Sequence, residues 1–431
     1  MNRRPALGVL AASELLGALG MQIAYFVVPL AAIQVLNANA IEIGVLNLTD
    51  SAAALLTGFG IGALVDRIGG TTSITLAHTV RIAACVLLAV TLAMGPSLSS
   101  LFVAMFLVGA ASLLNEAGTS MAVAKLAGRS SFQLNRANSL LRTSEIASSI
   151  GGPGLAALIL VVSTSAAGAL FGAFAFALAA CCSGVIWVTS SRLTRDPSSR
   201  AEQNLVSEAD GAVQHSSRFG GLMFIWRDPF LRPFTASSFH FNFFSAAFQA
   251  VFIIYCVRGL RFDTASIALV GVAAGIGGIA GAMCAALRFV ESHAGGIYRM
   301  CLTTPAGCLV LMLLAALPLF DGASVALVAS GEAIFAFAMV MCVVMSNTAV
   351  QIVSPPSILG RISASERVIA VGGEVPGAVI GGVIGTYVSV QAAMLVALVG
   401  MAFSTVWLVR VRAWPRAGVA ASQDESDRVN A

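Results

Sequence analysis

The sequence predicts an all-α membrane protein of twelve transmembrane helices in two pseudo-symmetric six-helix bundles. Three observations carry that prediction. Apolar stretches of twenty-odd residues recur about a dozen times along the 431 residues. Only 10% of the residues are charged while 58% are hydrophobic, and the mean hydropathy is +0.90; a soluble domain carries about 25% charged residues. Almost every Arg falls in every second gap between the apolar stretches. Such a chain cannot cover itself in water, whereas a bilayer core about 30 Å thick accepts apolar helices of about 20 residues.

The spans are expected at 9–35, 43–65, 73–94, 98–121, 139–163, 165–189, 230–257, 264–288, 299–319, 323–347, 363–386 and 388–411. Helices follow because lipid offers backbone amides no partner. A membrane barrel would instead show alternating segments of about ten residues. One side of the stack receives Arg3, Arg4, Arg67, Lys125, Arg129, Arg136, Arg192, Arg195, Arg200, Arg218, Arg227, Arg232, Arg288, Arg299, Arg361, Arg367, Arg412 and Arg416, and the other only Arg258 and Arg261. The positive-inside rule then puts both termini in the cytoplasm and requires an even number of crossings. Arg3 and Arg4 ahead of so long an apolar run read as an uncleaved signal anchor.

The net charge of +4 reflects this loop asymmetry, and the basic residues are too dispersed to suggest nucleic acid. All eight cysteines fall in expected spans with no CxxC pair and no His at ligand spacing. They read as buried free thiols, and neither a metal nor a cofactor is expected.

Residues 191–228 form the one long polar stretch before the tail, so the domains are expected at 1–190 and 229–412, with 413–431 a disordered cytoplasmic tail. The first part of the linker is too poor in apolar residues to fold. Its end, Phe219 to Trp226, is apolar and suits the inner membrane surface. The halves echo each other: LNRANSLLRTSEIASSIGGPGLAALI from Leu134 is matched by LGRISASERVIAVGGEVPGAVIGGVI from Leu359. Repeated bundles are a transporter plan, with the substrate at their interface near the midplane.

After the second span stands Gly58-Phe-Gly-Ile-Gly62-Ala-Leu-Val-Asp66-Arg67-Ile-Gly69-Gly70. It resembles the loop signature of the major facilitator superfamily, GxLxDRxGRR, with Gly70 and Thr71 where that signature is basic. Gly62 lets two helices approach, Asp66 can meet the positive end of a neighbouring helix, and Arg67 offers a breakable partner. In the fifth span, Gly151-Gly152-Pro153-Gly154 resembles the superfamily's antiporter motif GPxxGG, with Ala156 and Ala157 in place of its last glycines. Close packing alone would also explain that cluster. Leu134–Leu140, Phe219–Arg232 and Leu359–Ala364 add a resemblance to the branch holding the enterobactin exporter and macrolide efflux proteins. The resemblance covers about residues 9 to 412. It implies two rocking bundles in the plasma (inner) membrane and proton-driven export, and it leaves the cargo open.

Ionisable groups inside spans are costly and therefore functional candidates. Glu374 lies near the middle of span eleven, Glu332 in the outer half of span ten, Asp50 in the outer third of span two, Glu14 in the inner third of span one and Glu116 near the inner end of span four. Spans one, four, seven and ten line the cavity in the superfamily plan, so Glu14 or Glu332 is the preferred proton carrier. Glu116 could equally pair with an Arg or cap a helix. Arg81 in span three is read as a structural partner for the loop Asp, and Arg142 and Glu145 as an i,i+3 pair. The fourth span lacks the Arg that many proton antiporters of the superfamily carry.

Span seven offers His240, Asn242, Phe244, Gln249 and Tyr255, an apolar wall with orienting hydrogen bonders. Gln22, Tyr25, Asn115 and Asn347 could join it, although a stripe of Phe can also face lipid. Gly275-Ile-Gly277-Gly-Ile-Ala280 matches a dinucleotide fingerprint by letters but follows no strand. Helix packing through Gly271, Gly275, Gly277 and Gly281 explains it better. With no Walker-type GxxxxGK, the expected function is secondary active, proton-coupled export of a bulky, partly apolar organic molecule by a monomer. Uptake of a small nutrient is the alternative, and a membrane sensor or intramembrane enzyme a remote one.

Overall fold

Helix dominates the computed structural model, which describes residues 3–34, 36, 40–95, 97–127, 130–162, 165–193, 219–409, 411, 414 and 415, with no strand among them. The α-helices are α1 (Arg3–Gln34), α2 (Ala40–Ile68), α3 (Gly70–Met94), α4 (Leu98–Ala127), α5 (Ser131–Val162), α6 (Ser165–Leu193), α7 (Gly220–Arg227), α8 (Leu231–Ile254), α9 (Thr264–Ala285), α10 (Arg288–Ser292), α11 (Ala294–Leu314), α12 (Ser324–Val353), α13 (Leu359–Tyr387) and α14 (Val390–Ala402). Ten helical stretches among the described residues are long and apolar enough to cross a membrane. The two other expected spans are helical as well. α5 covers the fifth, behind a polar first half, and α9 the eighth, with its apolar part at Leu269–Ala285. Most of the expected linker and tail lies outside the described residues.

The chain divides into two compact units. Unit 1 comprises Met1–Gly128, Ala147–Phe224 and Ser354–Arg367; unit 2 comprises Arg129–Ile146, Ile225–Val353 and Val368–Ala431. The division therefore runs inside α5 and α13 as well as through the linker. The first turns of α13 are built into unit 1, and those of α5 into unit 2.

In unit 1, α3 packs against α4 and α6. Gly69, with φ 85°, makes the left-handed turn between α2 and α3 that a side chain would resist. Gly70 and Gly118 then let α3 and α4 touch through their backbones: a Cβ on Gly118 would lie 2.9 Å from the Gly70 carbonyl oxygen. In unit 2, Gly373, Gly377, Gly381 and Gly385 recur every fourth residue and so share one face of α13. A Cβ on each would strike, in turn, Phe239, Phe243, Ala247 and Val251 of α8, also every fourth residue. The two helices therefore run in the same direction, backbone against backbone, the contact that small residues permit in lipid.

Gly277 and Gly281 of α9 lie on the backbones of Ala333 and Phe337 of α12. The dinucleotide-like letters thus serve helix packing, although Gly271 faces open space. Asp263 caps α9, its carboxylate accepting the Ser266 N–H at 2.9 Å, and hydrogen bonds from Ser266 hold that carboxyl below the usual range. The cysteines are free, but not all are buried as expected. Cys181 is exposed and Cys182 and Cys284 are half-buried, because these positions of α6 and α9 turn away from their neighbours.

Candidate functional site

α4 carries a polar stripe of Ser112, Asn115 and Thr119, spaced i, i+3, i+7 and therefore on one face. α1 presents Glu14 to this stripe. The Glu14 carboxylate accepts hydrogen bonds from Asn115 Nδ2 at 3.1 and 3.2 Å and from Thr119 Oγ1 at 2.7 Å. One turn along the stripe, Arg81 of α3 donates from Nη2 to Ser112 Oγ at 3.0 Å. Its guanidinium stands 5.5 Å from the Phe176 ring of α6, and its Nε has no hydrogen-bond partner. Ser13, the neighbour of Glu14, faces the other way and meets His78 Nε2 at 3.3 Å. Gly17 leaves room for that imidazole, since a Cβ there would stand 2.7 Å from His78 Cε1.

The second polar centre of unit 1 lies at the end of α2. Asp66 Oδ1 accepts the Gly360 N–H at 2.7 Å, and Oδ2 accepts the Arg361 N–H at 3.2 Å. Arg361 Nε stands 3.3 Å from the same carboxylate, with only 4% of the Asp66 side chain exposed. An anion therefore closes the positive first turn of α13. A Cβ on Gly62 would fall 2.8 Å from Arg361 Cα, so the glycine is what permits the approach. Gly221 of α7 sits on the same turn, where a Cβ would come 2.8 Å from Ile362 N. Ser363 reaches Ser120 at 3.1 Å, and Arg367 stands 3.5 Å from Glu116. Arg67 is exposed and Gly152 packs on Gln22.

Unit 2 holds the related turns of α5 differently. Asn138 Nδ2 donates to Thr348 Oγ1 at 3.0 Å and to Gln351 Oε1 at 2.9 Å, all three residues being buried. Arg288 lies over the Phe132 ring at 4.8 Å. Arg142 bonds Glu145 at 2.6 Å on its own helix, the pairing the spacing predicts.

Glu332, on α12, makes no hydrogen bond or ion pair with another described residue, and its charge reaches the thiols of Cys256 and Cys308. Glu374 is half-buried on α13, beside Gly373. His240 Nε2 meets the Gly400 carbonyl at 2.8 Å, and Phe244 stacks tilted on His240 at 4.9 Å, so both turn toward α14. Asn242 donates to Ser238 Oγ at 3.4 Å, and Tyr255 OH to the Met312 carbonyl at 2.7 Å. Tyr25, Gln249 and Asn347 are exposed. The side chains of Asp50 and Pro153 lie outside the described residues. Among the described residues no three His, Cys, Asp or Glu come together to hold a metal.

One sequence expectation is corrected. Arg81 does not partner the loop Asp66; Arg361 does, and Arg81 bonds Ser112. The first turn of α13 supplies amide and guanidinium donors together at Asp66, which Arg81 in mid-span cannot. Ser112 and Thr119 complete the site without being ionisable, and their i, i+3, i+7 spacing with Asn115 is the signal the sequence carries for them.

The sequence profile of the Major Facilitator Superfamily matches residues 10–373. No curated protein matches the chain in sequence. Among solved structures, a bacterial homologue of the iron transporter ferroportin in an outward-facing state is similar, with a TM-score of 0.71 at 15% identity, over 94% of this chain and 98% of that one. The human organic anion transporter MFSD10 (TETRAN) gives 0.71 at 13% identity, over 95% and 100%. The E. coli fucose:proton symporter FucP gives 0.69 at 14% identity, over 94% and 98%. At these identities the likeness is one of fold.

Proposed function

We propose that this chain, which belongs to the Major Facilitator Superfamily and is a multi-pass membrane transporter of a small molecule, exchanges protons for an organic cargo and exports it. The observation that carries the reading is Glu14. It is a carboxylate inside a membrane helix, gripped by neutral donors from α4. Neutral donors can hold the ionised form, and Thr119 and Asn115 have lone pairs to receive the protonated one. A carboxyl so placed can load and release a proton without leaving its site. Glu332 is the second candidate, an acid among apolar helices with two thiols for titratable neighbours.

The Asp66 junction suits alternating access. Its bonds form between α2 and the first turn of α13, and they are few, directional and reversible. In this reading the termini face the cytoplasm, the transporter works as a monomer in the plasma membrane, and the Asp66 junction closes the cytoplasmic side. The Gly151–Gly154 cluster and the resemblance to efflux proteins favour export. They also favour a bulky, partly apolar cargo such as a drug, siderophore or secondary metabolite.

Accumulation of a compound panel in an efflux-deficient host, with and without an uncoupler, tests the reading. A cargo should be excluded by wild-type protein in an uncoupler-sensitive way. Glu14→Gln should lose that exclusion by tenfold or more while reaching the membrane at normal levels. Undiminished, uncoupler-sensitive exclusion in Glu14→Gln would move the proton to another group, with Glu332→Gln the next variant to assay. Compounds that accumulate above the level of the empty host would reverse the direction to uptake.

A further inference from the structure

We infer that Arg81 is the fixed counter-charge that positions Glu14, acting through the polar stripe of α4 that the two residues share. The inference deepens the proposal above and rests on Glu14 as the proton carrier.

Three features of Arg81 call for an explanation beyond packing. It is 96% buried, with a relative exposure of 4%, in a segment expected to lie in lipid, where an ionisable side chain is costly to keep. Its protein hydrogen bond goes to Ser112, a neutral hydroxyl, and its Nε has none. No described carboxylate forms an ion pair with it, so its charge is not neutralised by direct contact. A structural arginine in lipid would be expected to bond a carboxylate or several carbonyls.

The stripe on α4 explains the placement. Ser112 holds Arg81, and Asn115, one turn later, holds Glu14. The α4 side chains that hold the cation and the acid are thus about one helical turn apart, about 5 Å along the axis of α4, and Arg81 and Glu14 form no ion pair with each other. The Glu14 charge still reaches Arg81, and in a low-dielectric interior such an interaction is strong. Because no bond joins the two, Glu14 can change its protonation without breaking a salt bridge. The groups near enough for their charge to reach Arg81 are Glu14 and Tyr25 on α1 and His78 and Cys85 on α3. α4 and α6 present it with uncharged Ser112 and Phe176, and the Glu116 carboxylate farther along α4 is engaged by Arg367. Glu14 is therefore the carboxylate whose charge Arg81 controls.

The test needs no knowledge of the cargo. An apolar carbodiimide adds to a protonated carboxyl: the acid oxygen bonds the central carbon, the proton passes to nitrogen, and nothing leaves. Labelling of Glu14 by dicyclohexylcarbodiimide in native membranes at neutral pH therefore reports the protonated fraction. Wild-type protein should label weakly. Arg81→Gln should label at least fivefold faster, Arg81→Lys should return close to wild type, and Glu14→Gln should remove the signal. Should Arg81→Gln fail to fold, Ser112→Ala keeps both charges and frees the arginine. It should label at an intermediate rate, while wild-type labelling there would overturn the inference. Equal labelling of folded Arg81→Gln and wild type would also overturn it. If labelling follows Arg81 while Glu14→Gln still drives proton-coupled export, the pairing stands and the coupling assignment falls.

Discussion

Gly381→Leu is expected to remove most of the folded transporter, while Gly382→Leu, one residue on, leaves it near wild type. The difference lies in what each new side chain meets. At Gly381 a Cβ runs into the backbone of Ala247 on α8, whereas at Gly382 it meets nothing within 4 Å. Overpacking a site that can yield costs about 1–3 kcal/mol. Here the obstacle is a helix backbone held at three further glycines, Gly373, Gly377 and Gly385, so local adjustment cannot relieve it. The expected loss is large against a total stability of about 5–15 kcal/mol. Yield of monodisperse protein in detergent, with thermal melting of whatever survives, checks it. Equal yields for the two variants would mean that α8 and α13 are not packed along this ridge.

Asp66→Ala should release the first turn of α13 from α2. The substitution deletes the acceptor of two backbone N–H groups and the anion beside Arg361. With Asp66 4% and Arg361 18% exposed at the side chain, the pair is largely buried, and removing one partner of such a pair costs about 3–5 kcal/mol. At the lower end this is roughly a hundredfold change in the population of the closed junction. A cysteine introduced at Ser363, which bonds Ser120 within the junction, should then react much faster with a water-soluble maleimide in a background without the native thiols. Asp66→Asn, which keeps an acceptor but not the charge, should fall between. A folded Asp66→Ala protein with unchanged reactivity would show that other contacts hold this turn.

The sequence conveyed the fold more fully than the chemistry. Apolar length and the Arg asymmetry announce the spans, because transfer to lipid is a property of composition and needs no knowledge of neighbours. The glycines of α13 that meet α8 fall every fourth residue, a local spacing, but only the fold shows which helix they meet. The meeting of Asp66 with a helix start was also legible in kind, as an acid beside a turn seeks a positive end. Which helix start it meets was not, because Arg81 and Arg361 are equally basic on paper and only the fold decides between them. Ser112 and Thr119 were silent for another reason: hydroxyls in apolar helices can satisfy themselves on their own backbone, as Ser112 also does at the Val108 carbonyl. His240 and Phe244 looked like cavity groups by residue type, yet both lie against α14, where His240 finds the Gly400 carbonyl. The break between the compact units inside α5 and α13 leaves no mark in hydropathy.

The most direct test of Glu14 as the exchanging acid is the proton released when cargo binds to purified transporter in weakly buffered detergent, read with a pH dye. Once a transported compound is known, its addition at a pH acidic enough for Glu14 to start protonated should release protons in stoichiometric amount from wild-type protein and none from Glu14→Gln that still binds the compound. Undiminished release from Glu14→Gln would contradict the account.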